Sequence, residues 1–142
     1  FADRVFNSGL QLGHHTQPDD WKRIDGKLVM DQFLESTDLR RCQMELDLES
    51  TMTMGVDGAD YLQKHPDRFF ARQLRDAKTP ATRGKYPNAL PLGDGDVDSK
   101  KMLQAASSAH VSRYFVEMEI AAPGDPMDAL RISADYIRNL VV

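Results

Sequence analysis

Short apolar runs alternate with longer stretches of helical period along the chain. Four runs have the length and alternation of β-strands, and each is followed by a turn and then by a helical stretch. The runs are residues 9–15 (GLQLGHH), 41–48 (RCQMELDL), 68–76 (RFFARQLRD) and 112–119 (SRYFVEME). Because strand and helix alternate four times, the pattern predicts an α/β fold in which crossover helices connect parallel strands.

The helical stretches after these strands have recognisable boundaries. They cover residues 27–37, 58–66, 98–108 and 124–142. An extended piece with an Asp-Gly turn at 21–26 precedes the first stretch, and Pro66 ends the second. Asp125 has the position of an N-cap before Pro126, which suits the first turn of the last helix.

The two faces of the predicted sheet differ in polarity. One face is apolar and suited to packing beneath helices, with Arg72 as an exception. The other face carries Gln11, Gly13 and His15, then Gln43, Glu45 and Asp47, then Ala71, Gln73 and Arg75, and then Phe115, Glu117 and Glu119. In a (β/α)8 barrel the inward face ends in the active site at the carboxyl ends of the strands.

The polar groups near the strand ends have the chemistry of cation ligands. A single histidine or glutamate at a strand end is usually solvated or hydrogen-bonded, but four successive strands present such a group here. Carboxylate oxygens, one imidazole and one amide oxygen suit Mn²⁺ or Mg²⁺ better than a metal that prefers thiolates. Of the adjacent histidines, His15 is predicted to point inward as a ligand and His14 toward the helices or the rim.

Composition narrows the choice of partners. The length of 142 residues fits one domain, and 41% hydrophobic with 28% charged residues is typical of a globular protein. A net charge of −4 disfavours nucleic acid and anionic membrane surfaces, and no apolar run reaches the about 20 residues of a membrane span. Cys42 is the only cysteine, which excludes an internal disulfide and fits a reducing, cytoplasmic setting. A periplasmic location stays open because any targeting segment would precede Phe1.

Six motifs in order resemble the C-terminal half of the sugar phosphate isomerase/epimerase family, the xylose isomerase-like TIM barrels. They are LGHHTQ (12–17), MELDL (44–48), QLRD (73–76), PLGDGDVD (91–98), YFVEME (114–119) and GDPMDALRISADYIRNL (124–140). The resemblance implies that residues 1–142 form about four β/α units of a (β/α)8 TIM barrel. The other barrel half is then expected from the rest of a longer chain or from another subunit, since four parallel strands cannot close a barrel.

The same resemblance implies a divalent metal held by His15, Asp47, Gln73 and Glu117, most simply Mn²⁺ or Mg²⁺. Gln73 stands where the family usually has a histidine, and Gln17 stands where a subfamily has its second histidine. Since a carboxamide oxygen is a weaker ligand than imidazole for transition ions, Gln73 favours a harder cation or a lower affinity.

The reaction implied is proton abstraction next to the carbonyl of a sugar or keto-sugar, with the metal polarising oxygens of the substrate. Glu117 would be ligand and base, Glu119 an acid or hydrogen-bond acceptor at the rim, and Arg75 a group that orients a substrate hydroxyl or phosphate. Asp76 and Glu45 would support the ligands. A metal-dependent lyase or dehydratase acting on a keto-sugar or keto-glycoside is an alternative, as is a non-catalytic half-barrel that binds a sugar or a partner protein.

Overall fold

The computed structural model of the chain describes residues 1–78, 90–118 and 124–140. Its helices are α1 (Ala2–Asn7), α2 (Val29–Ser36), α3 (Leu48–Thr53), α4 (Gly58–Lys64), α5 (Ser99–Ser108) and α6 (Pro126–Asn139), with a 3₁₀ turn at Pro18–Trp21. Its strands are β1 (Leu12–His15), β2 (Arg23–Ile24), β3 (Lys27–Leu28), β4 (Cys42–Asp47), β5 (Phe69–Leu74) and β6 (Arg113–Val116). Within the described ranges, no helix is long and apolar enough to cross a membrane.

The main sheet is parallel throughout, in the order β1-β4-β5-β6. His15 is opposite Glu45, Asp47 is opposite Gln73, and Gln73 is opposite Phe115. This register places His15, Asp47, Gln73 and the residues that follow β6 at one edge of the sheet. The predicted parallel sheet with crossover helices is therefore confirmed.

The apolar face of the sheet packs beneath the helices as its sequence predicts. Met44, Leu46 and Leu74 are fully buried in one cluster that also contains Leu62 of α4 and Met102 of α5. Burial of these side chains removes their apolar surface from water, which is the main favourable contribution to folding.

Arg72, the charged residue on this apolar face, is held by two specific contacts. Its Nη1 donates a hydrogen bond to the carbonyl oxygen of Met102 at 3.1 Å, and its guanidinium lies 4.5 Å from the centre of the Tyr114 ring. Burial lowers the pKa of Arg72 to about 10, so the side chain stays charged near neutral pH. The carbonyl and the ring face together compensate part of the cost of burying this charge.

Two short helices were not predicted, and several boundaries differ from the sequence pattern. These helices are α1 and α3; Asp47 caps α3 by accepting hydrogen bonds from the backbone N–H groups of Glu49 and Ser50. Strand β1 begins at Leu12 rather than at residue 9, because the N–H of Leu10 bonds back to Val5 at the end of α1.

The helix predicted at 27–37 also begins later. Lys27 and Leu28 instead pair with Ile24 and Arg23 in a hairpin whose turn, Asp25-Gly26, has positive φ at both residues. Strand β6 covers Arg113–Val116, shorter than the predicted 112–119, and residue 119 lies outside the described ranges. Much of the predicted long loop, residues 79–89, lies outside them as well.

A buried carboxylate fixes the loop that leads into α5. Asp76 accepts hydrogen bonds from the backbone N–H groups of Ala77, Gly93, Gly95 and Val97 at 2.9–3.1 Å. Asp76 follows Arg75 directly, so the same contacts fix the chain just beyond the end of β5. The sequence led us to expect that Asp76 supports the metal ligands. In the structure, its carboxylate instead binds the backbone of this loop.

Gly95 is required by the close packing of that loop. A Cβ at this position would overlap Asp76 Oδ1 and lie 2.7 Å from the backbone nitrogen of Ala77. Since both neighbours are buried and bonded, neither can move without losing hydrogen bonds. The glycine-rich turn predicted before the helix at 98–108 thus has a steric cause.

Gly95→Ala should lower the free energy of unfolding by about 2 kcal/mol or more, because the methyl group displaces Asp76 from its four donors. Chemical denaturation of the complete polypeptide measures the change. Gly26→Ala is the control: its positive φ costs about 1 kcal/mol, but a Cβ there meets nothing within 4 Å. Equal losses for the two variants would contradict the steric account.

A side-chain hydrogen bond also joins the ends of β1 and β4. The hydroxyl oxygen of Thr16, which is fully buried, accepts a hydrogen bond from the Asp47 N–H at 3.0 Å. Thr16→Val keeps the shape and removes the acceptor, so we expect a loss of about 2 kcal/mol from the unsatisfied N–H. Thr16→Ser, which retains the hydroxyl, should lose less in the same denaturation experiment. A Val variant as stable as the Ser variant would show that this bond contributes nothing.

Candidate functional site at the carboxyl edge of the sheet

The end of each strand in the main sheet contributes a polar side chain to the same edge. His15 ends β1, Asp47 ends β4, Gln73 is the second-last residue of β5, and Glu117 follows β6 directly. Arg75 follows β5 directly and lies two residues after Gln73. Because alternate residues of a strand share a face, these five side chains lie on the face opposite the helices.

The adjacent histidines separate onto the two faces. His14 Nε2 lies 2.9 Å from Asp20 Oδ2, and its ring centre is 5.0 Å from that of Phe33 in α2. His15 points the other way, with Nε2 at 3.8 Å from Asp47 Oδ2, longer than a hydrogen bond. The pair at the end of an apolar run thus contributes one residue to the rim and one to the candidate site.

Asp47 combines a structural role with a position in the site. Its Oδ1 accepts hydrogen bonds from the N–H groups of Glu49 and Ser50, at 2.9 and 3.3 Å, and so caps α3. Its Oδ2 faces His15 and Arg75. Burial raises the pKa of the Asp47 carboxyl, while the Arg75 guanidinium and the N–H of Ser50 act in the opposite direction. Oδ1 therefore caps helix α3, and Oδ2 points into the candidate site.

The Arg75 guanidinium links three carboxylates. Its Nη1 is 3.5 Å from Asp47 Oδ2 and 3.8 Å from Glu117 Oε2, and its Nη2 is 3.0 Å from Glu49 Oε2. Arg75, Asp47 and Glu49 are almost fully buried, whereas half of the Glu117 side chain is exposed. Among the described residues, this one guanidinium therefore faces three carboxylates.

Two buried polar atoms next to Asp47 lack a hydrogen-bond partner in the described part of the chain. They are His15 Nε2 and Gln73 Oε1. The first belongs to the strand on one side of β4 and the second to the strand on the other side. A buried polar atom without a partner costs free energy, so such atoms commonly mark a site for a ligand or an ion.

The predicted set of four metal ligands is only partly brought together. His15, Asp47 and Gln73 end neighbouring strands, but the nearest contact of Glu117 to this group runs through Arg75. Within residues 1–78, 90–118 and 124–140, no three His, Cys, Asp or Glu side chains are arranged to hold a metal ion. Glu119 lies outside the described residues.

Sequence reasoning missed Glu49, and the structure also shows the role of Trp21. Glu49 entered no candidate set because the start of α3 was not recognised; the only local signal is an aspartate in cap position before LESTMT. Trp21 is buried, donates a hydrogen bond from Nε1 to Ser50 Oγ at 2.9 Å, and meets the Tyr61 ring edge-on. It therefore belongs to the hydrophobic core.

Comparison with known proteins supports the fold. No family model matches the sequence, and no curated protein does either. Among solved structures, a sugar phosphate isomerase/epimerase from Parabacteroides distasonis ATCC 8503 superposes with a TM-score of 0.81 at 21% identity, covering 97% of this chain and 49% of that one.

Two further solved structures have the same fold. A D-allulose 3-epimerase from Methylomonas sp. superposes with a TM-score of 0.71, and the IOLI protein with a bound zinc atom with 0.70. Each is 15% identical and covers 99% of this chain and 52% of its own. The chain thus spans about half the length of the solved structures it matches, and at these identities the likeness establishes the fold. The fold is an α/β half-barrel of the TIM type, as predicted.

Proposed function

We propose that this chain supplies half of the active site of a divalent-metal-dependent enzyme that isomerises or epimerises a sugar or keto-sugar. The observation that carries the proposal is the pair of buried atoms on either side of Asp47, His15 Nε2 and Gln73 Oε1, that have no hydrogen-bond partner among the described residues. Their place supports it, because TIM barrels have their active sites at the carboxyl ends of the strands. The enzyme names among the similarly folded structures agree with this class of reaction.

The donors at this edge fit a divalent cation. They are one imidazole nitrogen, one amide oxygen and carboxylate oxygens, a mixture that suits Mn²⁺ or Mg²⁺. A divalent cation would add positive charge beside the carboxylates near Arg75 and would bind His15 Nε2 and Gln73 Oε1, which have no hydrogen-bond partner among the described residues. His15, Asp47, Gln73 and Glu117 are the residues that would hold it. The zinc atom of the IOLI protein supports a divalent metal in this fold.

The chain's own side chains supply the proton transfer. Glu117 is the proposed base, since its half-exposed carboxylate lies on the inner face, within reach of a small molecule. Glu119 is the proposed acid or acceptor at the rim, and Arg75 is proposed to orient a substrate hydroxyl or phosphate. A bound divalent cation would polarise the carbonyl and hydroxyl oxygens of the sugar.

The rest of the pocket is proposed to come from another barrel half. Strands β1 and β6 form the two edges of the described sheet, and Phe115 on the inner face is half exposed. Open parallel edges and an exposed aromatic side chain on the inner face are what the remaining strands of a barrel would cover. Those strands would come from the rest of a longer chain or from another subunit.

His15→Ala should abolish Mn²⁺ binding, because it removes the only nitrogen ligand of the proposed set. The complete polypeptide, dialysed against Mn²⁺ and analysed by atomic absorption, should retain about one ion per barrel. The matched control is His14→Ala, which removes the same group from the opposite face and should keep the ion. A wild-type protein that retains no Mn²⁺ would contradict the proposal and favour the non-catalytic, sugar-binding half-barrel.

Glu117→Gln should lower kcat by about 10²–10⁴-fold, the usual contribution of a general base. The readout is deuterium uptake from solvent next to the carbonyl of D-allulose and other free ketoses, followed by proton NMR. Glu35→Gln on the exposed side of α2 is the surface control and should be unchanged. Unaltered exchange in Glu117→Gln would remove this residue from the mechanism, and formation of an unsaturated ketone would instead indicate the lyase reaction.

A further inference from the structure

The Arg75 guanidinium contacts the same carboxylate oxygens that the proposed cation needs. Asp47 Oδ1 is engaged by the two N–H groups at the start of α3, so Oδ2 is the oxygen left to face the site. Arg75 Nη1 is 3.5 Å from that oxygen and 3.8 Å from Glu117 Oε2. A metal ion bound by Asp47 and Glu117 would therefore share Asp47 Oδ2, and the carboxylate group of Glu117, with the guanidinium in its present position.

Electrostatics prevents both cations from keeping these contacts at full strength. An arginine side chain does not lose its charge in proteins, and Arg75 is almost fully buried, so the guanidinium needs a carboxylate partner at all times. Two positive groups a few ångströms apart in a site of low dielectric constant repel each other strongly. Binding of the metal thus requires the guanidinium to give up at least part of its contact with Asp47 and Glu117.

Glu49 offers the guanidinium a second partner. Its Oε2 is 3.0 Å from Arg75 Nη2, the shortest of the three carboxylate contacts, and its side chain is buried. Glu49 lies in the first turn of α3, where the backbone is fixed by the Asp47 cap, so its position does not depend on the metal. Glu49 can therefore stay paired with Arg75 when Asp47 and Glu117 bind a metal ion.

We infer that Arg75 is a built-in counter-cation that partly offsets the charges of Asp47 and Glu117 in the metal-free protein and competes with the metal for them, with Glu49 as the positioning residue that retains it. The inference rests on the proposed function, because it takes the metal site as given. It assigns Arg75 a role in setting metal affinity besides any contact with substrate. It also gives the two residues opposite effects: Arg75 weakens metal binding, and Glu49 relieves that competition.

The test measures the Mn²⁺ dissociation constant of the complete polypeptide from the electron paramagnetic resonance signal of free Mn²⁺. Arg75→Met should bind Mn²⁺ about tenfold more tightly or better, because the competing charge is gone. Glu49→Gln should bind more weakly, because the guanidinium then relies on Asp47 and Glu117. In the Arg75→Met background, Glu49→Gln should not weaken binding.

Arg113→Met is the matched control for loss of a positive charge. Arg113 is exposed at the opposite end of β6, so its removal should leave the dissociation constant unchanged. Without metal, Arg75→Met should melt at a lower temperature than the wild type. The carboxylates of Asp47, Glu49 and Glu117 would then repel one another with no guanidinium between them. If Arg75→Met does not fold, Arg75→Gln, which also removes the charge, takes its place in both comparisons.

The outcomes separate this inference from the proposed function. Wild-type protein that binds Mn²⁺, together with an Arg75→Met variant that binds it equally or less tightly, would overturn the counter-cation role and leave the metal site standing. Unchanged affinity in Glu49→Gln would overturn the role of Glu49 in the same way. Failure of the wild type and of every variant to bind Mn²⁺ would overturn both.

Discussion

Parallel pairing in register is the constraint on which the candidate site depends. The crossover helices that join parallel strands cover one face of the sheet and leave the other face for a different partner. All strands then end at the same edge, and residues two apart share a face. As a direct result, Asp47 of β4 lies opposite Gln73 of β5, and His15 lies at the end of β1 on the other side of β4. A shift of one residue in any strand would send its polar side chain into the apolar layer.

Charge at that edge is costly, and Arg75 balances only part of it. Three carboxylates and one guanidinium lie within a few ångströms, and most of this group is withdrawn from water. Asp47 is stabilised by the N–H groups of a helix start and by Arg75, yet burial still raises the pKa of its carboxyl. Such an arrangement contributes little to stability compared with an apolar core. A chemical task is a better explanation of this arrangement than stability, and this is the physical basis of the proposed metal site.

Local patterns predicted much of this molecule, and tertiary contacts account for what they missed. The faces of the strands follow from period two, and the Asp125 cap was recognisable from its neighbours. Helix α3 was missed because it is six residues long and contains two β-branched threonines, which favour helices weakly. The role of Glu49 was missed for another reason: its contact with Arg75 joins residues 26 positions apart. The burial of Arg72 likewise depends on Met102 and Tyr114, which no local pattern around it reveals.

The central claim is that His15, Asp47, Gln73 and Glu117 meet at one cation. Anomalous X-ray scattering from crystals of the complete polypeptide grown with Mn²⁺ tests it most directly, because it locates the metal independently of the protein atoms. The account predicts a single manganese peak at the carboxyl edge, coordinated by those four side chains. A peak at another place, or none at saturating Mn²⁺, would contradict it.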